Sequence, residues 1–463
     1  MEMKVLLILL KQQHKFYWNV AESEYGLQRY QPLGLLYVSS SLENYGIATD
    51  FMDQSVDNFS IADLKNKLNA EKYGFIGFYS DSTLKSIICE YIREIKNTLK
   101  IPIVVGGPGT LNNKAFFDAG CDIVCNGEGE VTICEIVEYL KGKKHLNEIK
   151  GISYCKNGKI INNEPRELIR DLDILPFPDR KKTQFNKYYD FHKFTMRTPF
   201  TSIITSRGCP YNCSFCTSHV FWKRKVRLRS PENIVKEINE ILKKHKLKYV
   251  YFLDENFGLN IKWLFEFCNL LIKKKYDFHW CCAINPFSFE GRKQETMEIM
   301  KQAGCDHMIL GLQSAVPEIL KNINRDPQQP EAAAETIRIA KKLGILIQLE
   351  MIFGLPGDTE ETIKQSIDYT ISVNPHISGF FALTVLEGSE IEQKYGSNNV
   401  CSLSKERVDE LCSLASRKFY TRLAKIIELW GFIVTKNPKW FIRAIQCMPF
   451  ILSVAGLRQR TTK

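Results

Sequence analysis

Three cysteines carry the most specific chemistry in this chain. Residues 205–217 read TSRGCPYNCSFCT, so Cys209, Cys213 and Cys216 stand at the spacing C-x3-C-x2-C on one short loop. A closed structural zinc site takes four protein ligands, and an electron-transfer cubane usually takes four thiolates. Three thiolates would leave one iron of a four-iron cluster open. Gly208 and Pro210 suit a loop that wraps its backbone around a cluster, and the preceding TSIITS is β-branched and apolar enough to be the strand that delivers it. The same residues could also be a zinc site or three unrelated thiols.

The elements that must position this loop can be read from the rest of the chain. A length of 463 residues predicts about three domains, and 44% hydrophobic content is ordinary for a globular protein with a sizeable core. Fifteen cysteines without the spacing of secreted domains, and no cleavable signal, point to a reducing cytoplasm, the setting a labile cluster requires. No apolar run reaches the roughly 18 residues of a membrane-spanning helix. The net charge of +11 is uneven, with 12 Lys/Arg against 4 Asp/Glu from Cys401 onward.

The continuous apolar run KVLLILL at residues 4–10 reads as a buried parallel strand. Further runs at 48–53, 73–80, 101–108 and 122–127 alternate with helical patterns such as LGLLYVSSSLENYG and LKSIICEYIREIKNTLK. That alternation predicts an α/β, doubly wound parallel sheet, with ligands at the carboxyl ends of its strands. Gly106, Gly107 and Pro108 follow the fourth strand, and Gly127, Glu128 and Gly129 follow the fifth. Asn157-Gly158 predicts a hairpin, and the proline-rich LDILPFPDR an extended connector. From Thr201 six further strands alternate with helices, among them one starting at Pro231.

The triad with its flanking SRGCP and FC resembles the radical S-adenosylmethionine (SAM) family, whose motif carries an aromatic before the last Cys, here Phe215. In that family the open iron chelates SAM, and reductive cleavage yields a 5'-deoxyadenosyl radical. QPLGLLYVSSSLENYG, VVGGP and AGCDIVCNGEGE resemble the cobalamin-binding domain that precedes the barrel in one branch, the class B methyltransferases and the anaerobic Mg-protoporphyrin monomethyl ester cyclases. The resemblance implies a Rossmann-like domain over residues 1–142 and a linker with a hairpin over 143–195. A partial (β/α)6 barrel would follow over 196–395, then a helical basic region over 396–463. It implies a 4Fe-4S cluster on Cys209, Cys213 and Cys216. SAM would lie against Phe215, Asp254, Glu255, Gln313, Ser314, Gly354 and Pro356. Cobalamin would lie against Gly106, Gly107, Pro108, Gly127, Glu128 and Gly129. Gln313 stands where the family has Glu, and Glu387 where it shows Pro-Gly-Thr. The D-x-H-x-x-G lower-ligand motif is missing, so His14 is expected to be a surface residue.

The implied activity is methylation of an unactivated carbon in a small-molecule, lipid or peptide substrate, fed by an electron donor such as flavodoxin or ferredoxin. A cyclase, oxidase or rearrangement enzyme of the same architecture is the alternative, and a corrinoid or redox sensor without turnover a further one. The run KRKVRLR at 223–229 reads as a solvated loop or as a face toward an anionic ligand. Cys281 and Cys282, adjacent in a strand, should point to opposite faces, and Glu350 and Asn285 lie on barrel strands without an assigned face. The tail, with Trp430, Trp440, Phe441 and Phe450 among basic residues, reads as a helical cap or an amphipathic contact with an anionic membrane. No stacking or groove-reading motif accompanies the charge, so no nucleic-acid partner is expected.

Overall fold

The computed structural model describes residues 3–11, 28–190, 199–396 and 400–436, so His14, Met196, Trp440, Phe441 and Phe450 lie outside the described residues. The described residues form two compact units. The first is built from those of Met1–His14, Gln28–Tyr189 and Val220–Arg229, the second from those of Asp190–His219 and Ser230–Lys463.

In the first unit, β1 (Lys4–Leu9), β2 (Ala48–Asp53), β3 (Phe75–Tyr79), β4 (Ile103–Gly106) and β5 (Ile123–Cys125) pair in parallel in the order 2-1-3-4-5. Successive side chains of a strand point to opposite faces, so a strand covered on both faces must be apolar throughout. Leu6 and Ile8 of β1 join Ile76, Phe78, Ile103 and Val105 in one core, beneath the helices Ile61–Ala70 and Lys85–Lys96. Val5 and Leu7 join Phe75, Val104 and Ile123 in the other, beneath Leu33–Asn44 and Gly129–Leu140. The strand order reverses between β1 and β3, the position that opens a ligand crevice in such sheets.

The hairpin expected in a linker is the antiparallel edge of this sheet. Its strands β6 (Ile152–Lys156) and β7 (Lys159–Asn162) flank Asn157 and Gly158 at φ 52° and 74°, the left-handed pair that a two-residue turn needs. β6 pairs with β5 and buries Ile152 and Tyr154 in the core, which is what holds the hairpin there.

The second unit holds β8 (Phe200–Ile203), β9 (Tyr249–Phe252), β10 (His279–Ile284), β11 (Cys305–Gln313), β12 (Leu346–Phe353) and β13 (Ile377–Ala382). All pair in parallel in chain order with helices between them, giving the partial (β/α)6 barrel. Its helices start where side-chain caps dictate: Ser230, Asn260 and Thr359 accept the backbone N–H of Asn233, Trp263 and Thr362.

The tail's first helix, Lys405–Tyr420, is a cap, burying Val408, Leu411, Ala415 and Phe419. Its Tyr420 hydroxyl bonds both backbone groups of Ser378 in β13 at 3.0 and 2.8 Å. Among the described residues, no helix is long and apolar enough to cross a membrane.

Candidate functional site

The cysteine loop follows β8, at the carboxyl end of the strands where parallel barrels gather their chemistry. Gly208 takes φ 99°, a turn that L side chains avoid. The loop is pinned from below, with Ser214 N–H donating to the Ile323 carbonyl at 3.2 Å and Ile391 N–H to the Ser214 carbonyl at 3.0 Å. Phe215 packs with Ile319, Leu320, Ile323 and Leu355, so the aromatic of the motif is an apolar anchor for the loop. Burial pushes the Cys209 thiol up to about 11 and raises Cys216 as well, so both hold their protons at neutral pH until a metal displaces them. Among the described residues, no three His, Cys, Asp or Glu side chains are gathered around a single-ion position.

The acidic pair after β9 divides its work. Asp254 is 6% exposed and accepts four hydrogen bonds. Three come from the N–H of Thr205 at 2.7 Å, the N–H of Ser206 at 3.1 Å and the hydroxyl of Ser206 at 2.8 Å. The fourth comes from the Thr205 hydroxyl. The oxygens of Asp254, a residue expected beside SAM, fix the backbone that leads into the cysteine loop. Burial raises its carboxyl to about 6 despite those donors. Glu255 is exposed, accepts the Gly208 N–H at 3.1 Å, and its charge acts on Cys209 and Cys216. Of the two carboxylates, it is Glu255 that faces the thiols.

Sequence reading missed Arg325, which lies just past the helix Pro317–Asn322. It is 8% exposed, donates to the Gly311 carbonyl and to Gln329 Oε1, both at 2.7 Å, and its charge couples to all three thiols. Burial depresses its pKa while the thiols oppose that. A desolvated guanidinium beside three prospective thiolates offsets their negative charge and offers a fork for a carboxylate. The only cue in the sequence was an Arg directly after a short helix and Asn324, itself left-handed at φ 57°.

Gln313 ends β11 at φ 75°, with an irregular register beside Gly311, where a Cβ would meet Gln313 Nε2 at 2.8 Å. A non-glycine residue held left-handed is strained, and such strain concentrates at working sites. Ser314 differs from expectation. It is 2% exposed, accepts the Val316 N–H at 3.2 Å and lies 3.4 Å from Ser366 Oγ, so it serves the turn into the next helix rather than an open surface. Gly354 at φ 85° and Pro356 form a turn tied by Asp358, which accepts the N–H groups of Gly354 and Leu355 at 3.0 and 2.9 Å.

β12 settles the face of Glu350. Gln348, Glu350 and Ile352 are partly exposed while their neighbours in the strand are buried, and Ile352 packs in the same apolar group as Phe215. These three therefore share the face of β12 whose Ile352 packs on that apolar group, and Gln348 Nε2 donates to Glu350 Oε1 at 3.1 Å. Asn285 is a turn residue that accepts the Phe287 N–H at 2.9 Å. Cys281 and Cys282 point to opposite faces of β10 and are both fully buried.

In the first unit, the ends of β3, β4 and β5 are laced together. Ser80 N–H donates to the Gly106 carbonyl at 2.7 Å, Gly109 N–H to the Ser80 carbonyl at 2.9 Å, and Thr110 Oγ1 to the Gly107 and Cys125 carbonyls at 2.9 and 3.2 Å. Gly107 has φ 104°, and a Cβ there would meet the Ser80 carbonyl at 2.5 Å. Gly109, which sequence reading passed over, would meet the Asp81 carbonyl at 2.3 Å. Around Gly127, by contrast, nothing lies within 4 Å of a built Cβ. Gly129 begins a helix of twelve residues.

The Glu128 carboxylate, expected near the corrinoid, accepts the Ile169 N–H at 2.7 Å and pairs with Arg227 at 2.8 Å, both side chains buried. The basic run is split. Lys223, Arg224 and Lys225 are exposed, but Arg227 and Arg229 are buried, Arg227 beneath the Trp222 ring and Arg229 beside Tyr37.

Comparison with known proteins finds the same two parts. Residues 203–370 match the Radical SAM superfamily and residues 26–137 the B12 binding domain. An uncharacterized methyltransferase of Pyrococcus horikoshii is 26% identical over 439 residues, covering 89% of this chain and 93% of that protein. The anaerobic magnesium-protoporphyrin IX monomethyl ester cyclase of Rubrivivax gelatinosus is 26% identical over 387 residues, 79% of this chain and 66% of that one. Among solved structures, the radical SAM methyltransferase TsrM from Kitasatospora setae, with cobalamin and a [4Fe-4S] cluster bound, superposes with a TM-score of 0.68 at 18% identity. The match covers 85% of this chain and 75% of that one, and at such identity it speaks for the fold.

Proposed function

Because the chain is a radical SAM protein with a B12-binding domain ahead of its barrel, we infer that it is a cobalamin-dependent enzyme that methylates an unactivated carbon of a small-molecule, lipid or peptide substrate. The observation that carries this reading is the conjunction, in one chain, of a three-thiol loop with a buried guanidinium beside it and a doubly wound domain with an open glycine at a strand end. A four-iron cluster supplies the electron that cleaves SAM, and a corrinoid supplies the methyl group. The protein's own residues then bind, orient and exclude water.

In this reading Cys209, Cys213 and Cys216 hold the cluster, and Arg325 takes an anionic partner beside it, such as the SAM carboxylate. Glu255 accepts the cationic SAM amino group, Gln313 the ribose, and the Gly354–Pro356 turn lines the adenine. Asp254 and Phe215 position the cysteine loop without touching SAM. Gly106, Gly107, Pro108, Gly127 and Gly129 give the corrinoid its backbone wall. An electron donor such as a flavodoxin or ferredoxin, and a cytoplasmic setting, complete the proposal.

After anaerobic reconstitution with substrate and methyl-deuterated SAM, both S-adenosylhomocysteine and 5'-deoxyadenosine should form, and the product should carry the labelled methyl. The similarity to the cyclase of Rubrivivax gelatinosus keeps a second reading, ring closure or oxidation without methyl transfer. Formation of 5'-deoxyadenosine with an unmethylated product would select it.

A further inference from the structure

The first two turns of the tail's second helix, Leu423–Lys436, are amphipathic in the reverse of the usual sense. Globular helices turn their apolar stripe to the core and their charges to water. Here Leu423, Ile426 and Ile427, at helical spacing on one face, are 72%, 49% and 62% exposed. Lys425, on the opposite face, is 2% exposed.

That inversion is held in place by specific bonds. Lys425 Nζ donates to the Pro375 carbonyl at 2.7 Å, pairs with Glu428 and lies 5.0 Å from the Phe419 ring centroid. Glu428 also meets Lys341 at 3.2 Å. Arg422 donates to Asn374 Oδ1 at 3.1 Å and the Ile371 carbonyl at 3.2 Å. The polar side of the helix is thus fastened to the end of the barrel helix Glu360–Val373, which leaves no rotation that would hide the leucine and isoleucines.

Charge says what covers them. Arg417 and Lys418, in the preceding turn, are exposed, and the 27 residues beyond Lys436 contain five Lys/Arg and no Asp or Glu, together with Trp440, Phe441 and Phe450. An anionic bilayer offers both an apolar layer for the stripe and negative headgroups for the cations.

We propose that the face of Leu423, Ile426 and Ile427 docks the protein on an anionic lipid surface. The inference stands apart from the reaction assigned to the barrel, because binding to vesicles needs neither cluster nor corrinoid.

The test is co-sedimentation of the full chain with phosphatidylcholine vesicles containing phosphatidylglycerol at about one lipid in three, against phosphatidylcholine alone. The chain should pellet with the anionic vesicles at low salt and come off as salt is raised, and Leu423→Glu with Ile427→Glu should lower the bound fraction about tenfold or more. Circular dichroism of the double variant should match the parent, since both side chains face water. Three results would overturn the proposal: a parent that stays in the supernatant with both vesicles, a double variant that binds as the parent does, or a parent dimer in light scattering that the double variant splits.

Discussion

Asp254 separates two things that a buried carboxylate can supply, hydrogen-bond acceptors and charge. Replacement by Ala removes both, leaving the N–H groups of Thr205 and Ser206 inside the barrel without their acceptor. The two hydroxyls can rotate to other oxygens, but the two N–H groups cannot. At about 1–3 kcal/mol for each buried donor left unmade, Asp254→Ala should cost about 2–6 kcal/mol.

Asn keeps Oδ1 on the two N–H groups, and its amide can donate to the hydroxyls of Thr205 and Ser206, which accept as readily as they donate. Asp254→Asn should therefore cost only about 1 kcal/mol at pH 5 or below. The charge appears in the pH dependence. The folded protein holds the Asp254 proton up to about 6, against 3.8 for an unperturbed carboxyl. Between those values the unfolded chain has released a proton that the folded chain still binds, so stability falls as pH rises through this window. The whole shift corresponds to about 3 kcal/mol, and the Asn variant lacks this component. Urea unfolding between pH 4 and 7 should show the parent losing stability relative to Asp254→Asn as pH rises. Equal damage from Asn and Ala, or parallel pH profiles, would refute the reasoning.

Cys209→Ala, Cys213→Ala and Cys216→Ala should each abolish the cluster chromophore and SAM cleavage, whereas Cys281→Ala should spare both; turnover retained in a reconstituted Cys213→Ala protein would remove the triad from the mechanism. Arg325→Lys should fail to restore what Arg325→Met loses, with SAM affinity measured by calorimetry down about tenfold or more in each, because one ammonium cannot span the Gly311 carbonyl, Gln329 and an anion as a planar fork does. Gly109→Ala should destabilise the first unit by at least about 2 kcal/mol in thermal melts, since its Cβ would strike the Asp81 backbone, while Gly127→Ala should cost about 1 kcal/mol from its φ of 94° alone. With cobalamin bound, the cob(II)alamin paramagnetic resonance spectrum should lack axial nitrogen splitting, and His14→Ala should leave it unchanged.

Much of the architecture was legible because it rests on local pattern. Apolar runs of strand length between helical periods can only be buried parallel strands, and the two cores on either side of β1 are that rule made visible. The hairpin turn needed two left-handed residues, and Asn157-Gly158 announced it. The triad was legible for the same reason: its three thiols come from one loop, so their proximity is written in their spacing.

What the sequence could not decide depends on partners far along the chain. Glu128 and Arg227 are 99 residues apart, and nothing local distinguishes a glycine-loop carboxylate that faces a ligand from one that faces a buried guanidinium. Asp254 and Glu255 are neighbours with the same chemistry, and only the strand's exit direction turns one into the loop's backbone and the other toward the thiols. Arg325 comes under the influence of the thiols only when the chain after β11 returns it to the Gly311 carbonyl and Gln329. The tail reads in sequence as a helical cap or a membrane contact, but which of its side chains is buried, Lys425, and which exposed, Leu423, is not written there. Spacing and periodicity determine which elements form and which groups share a loop; which way a side chain points once two elements meet is decided by the competition of distant donors and acceptors for it, and that exists only in the tertiary structure.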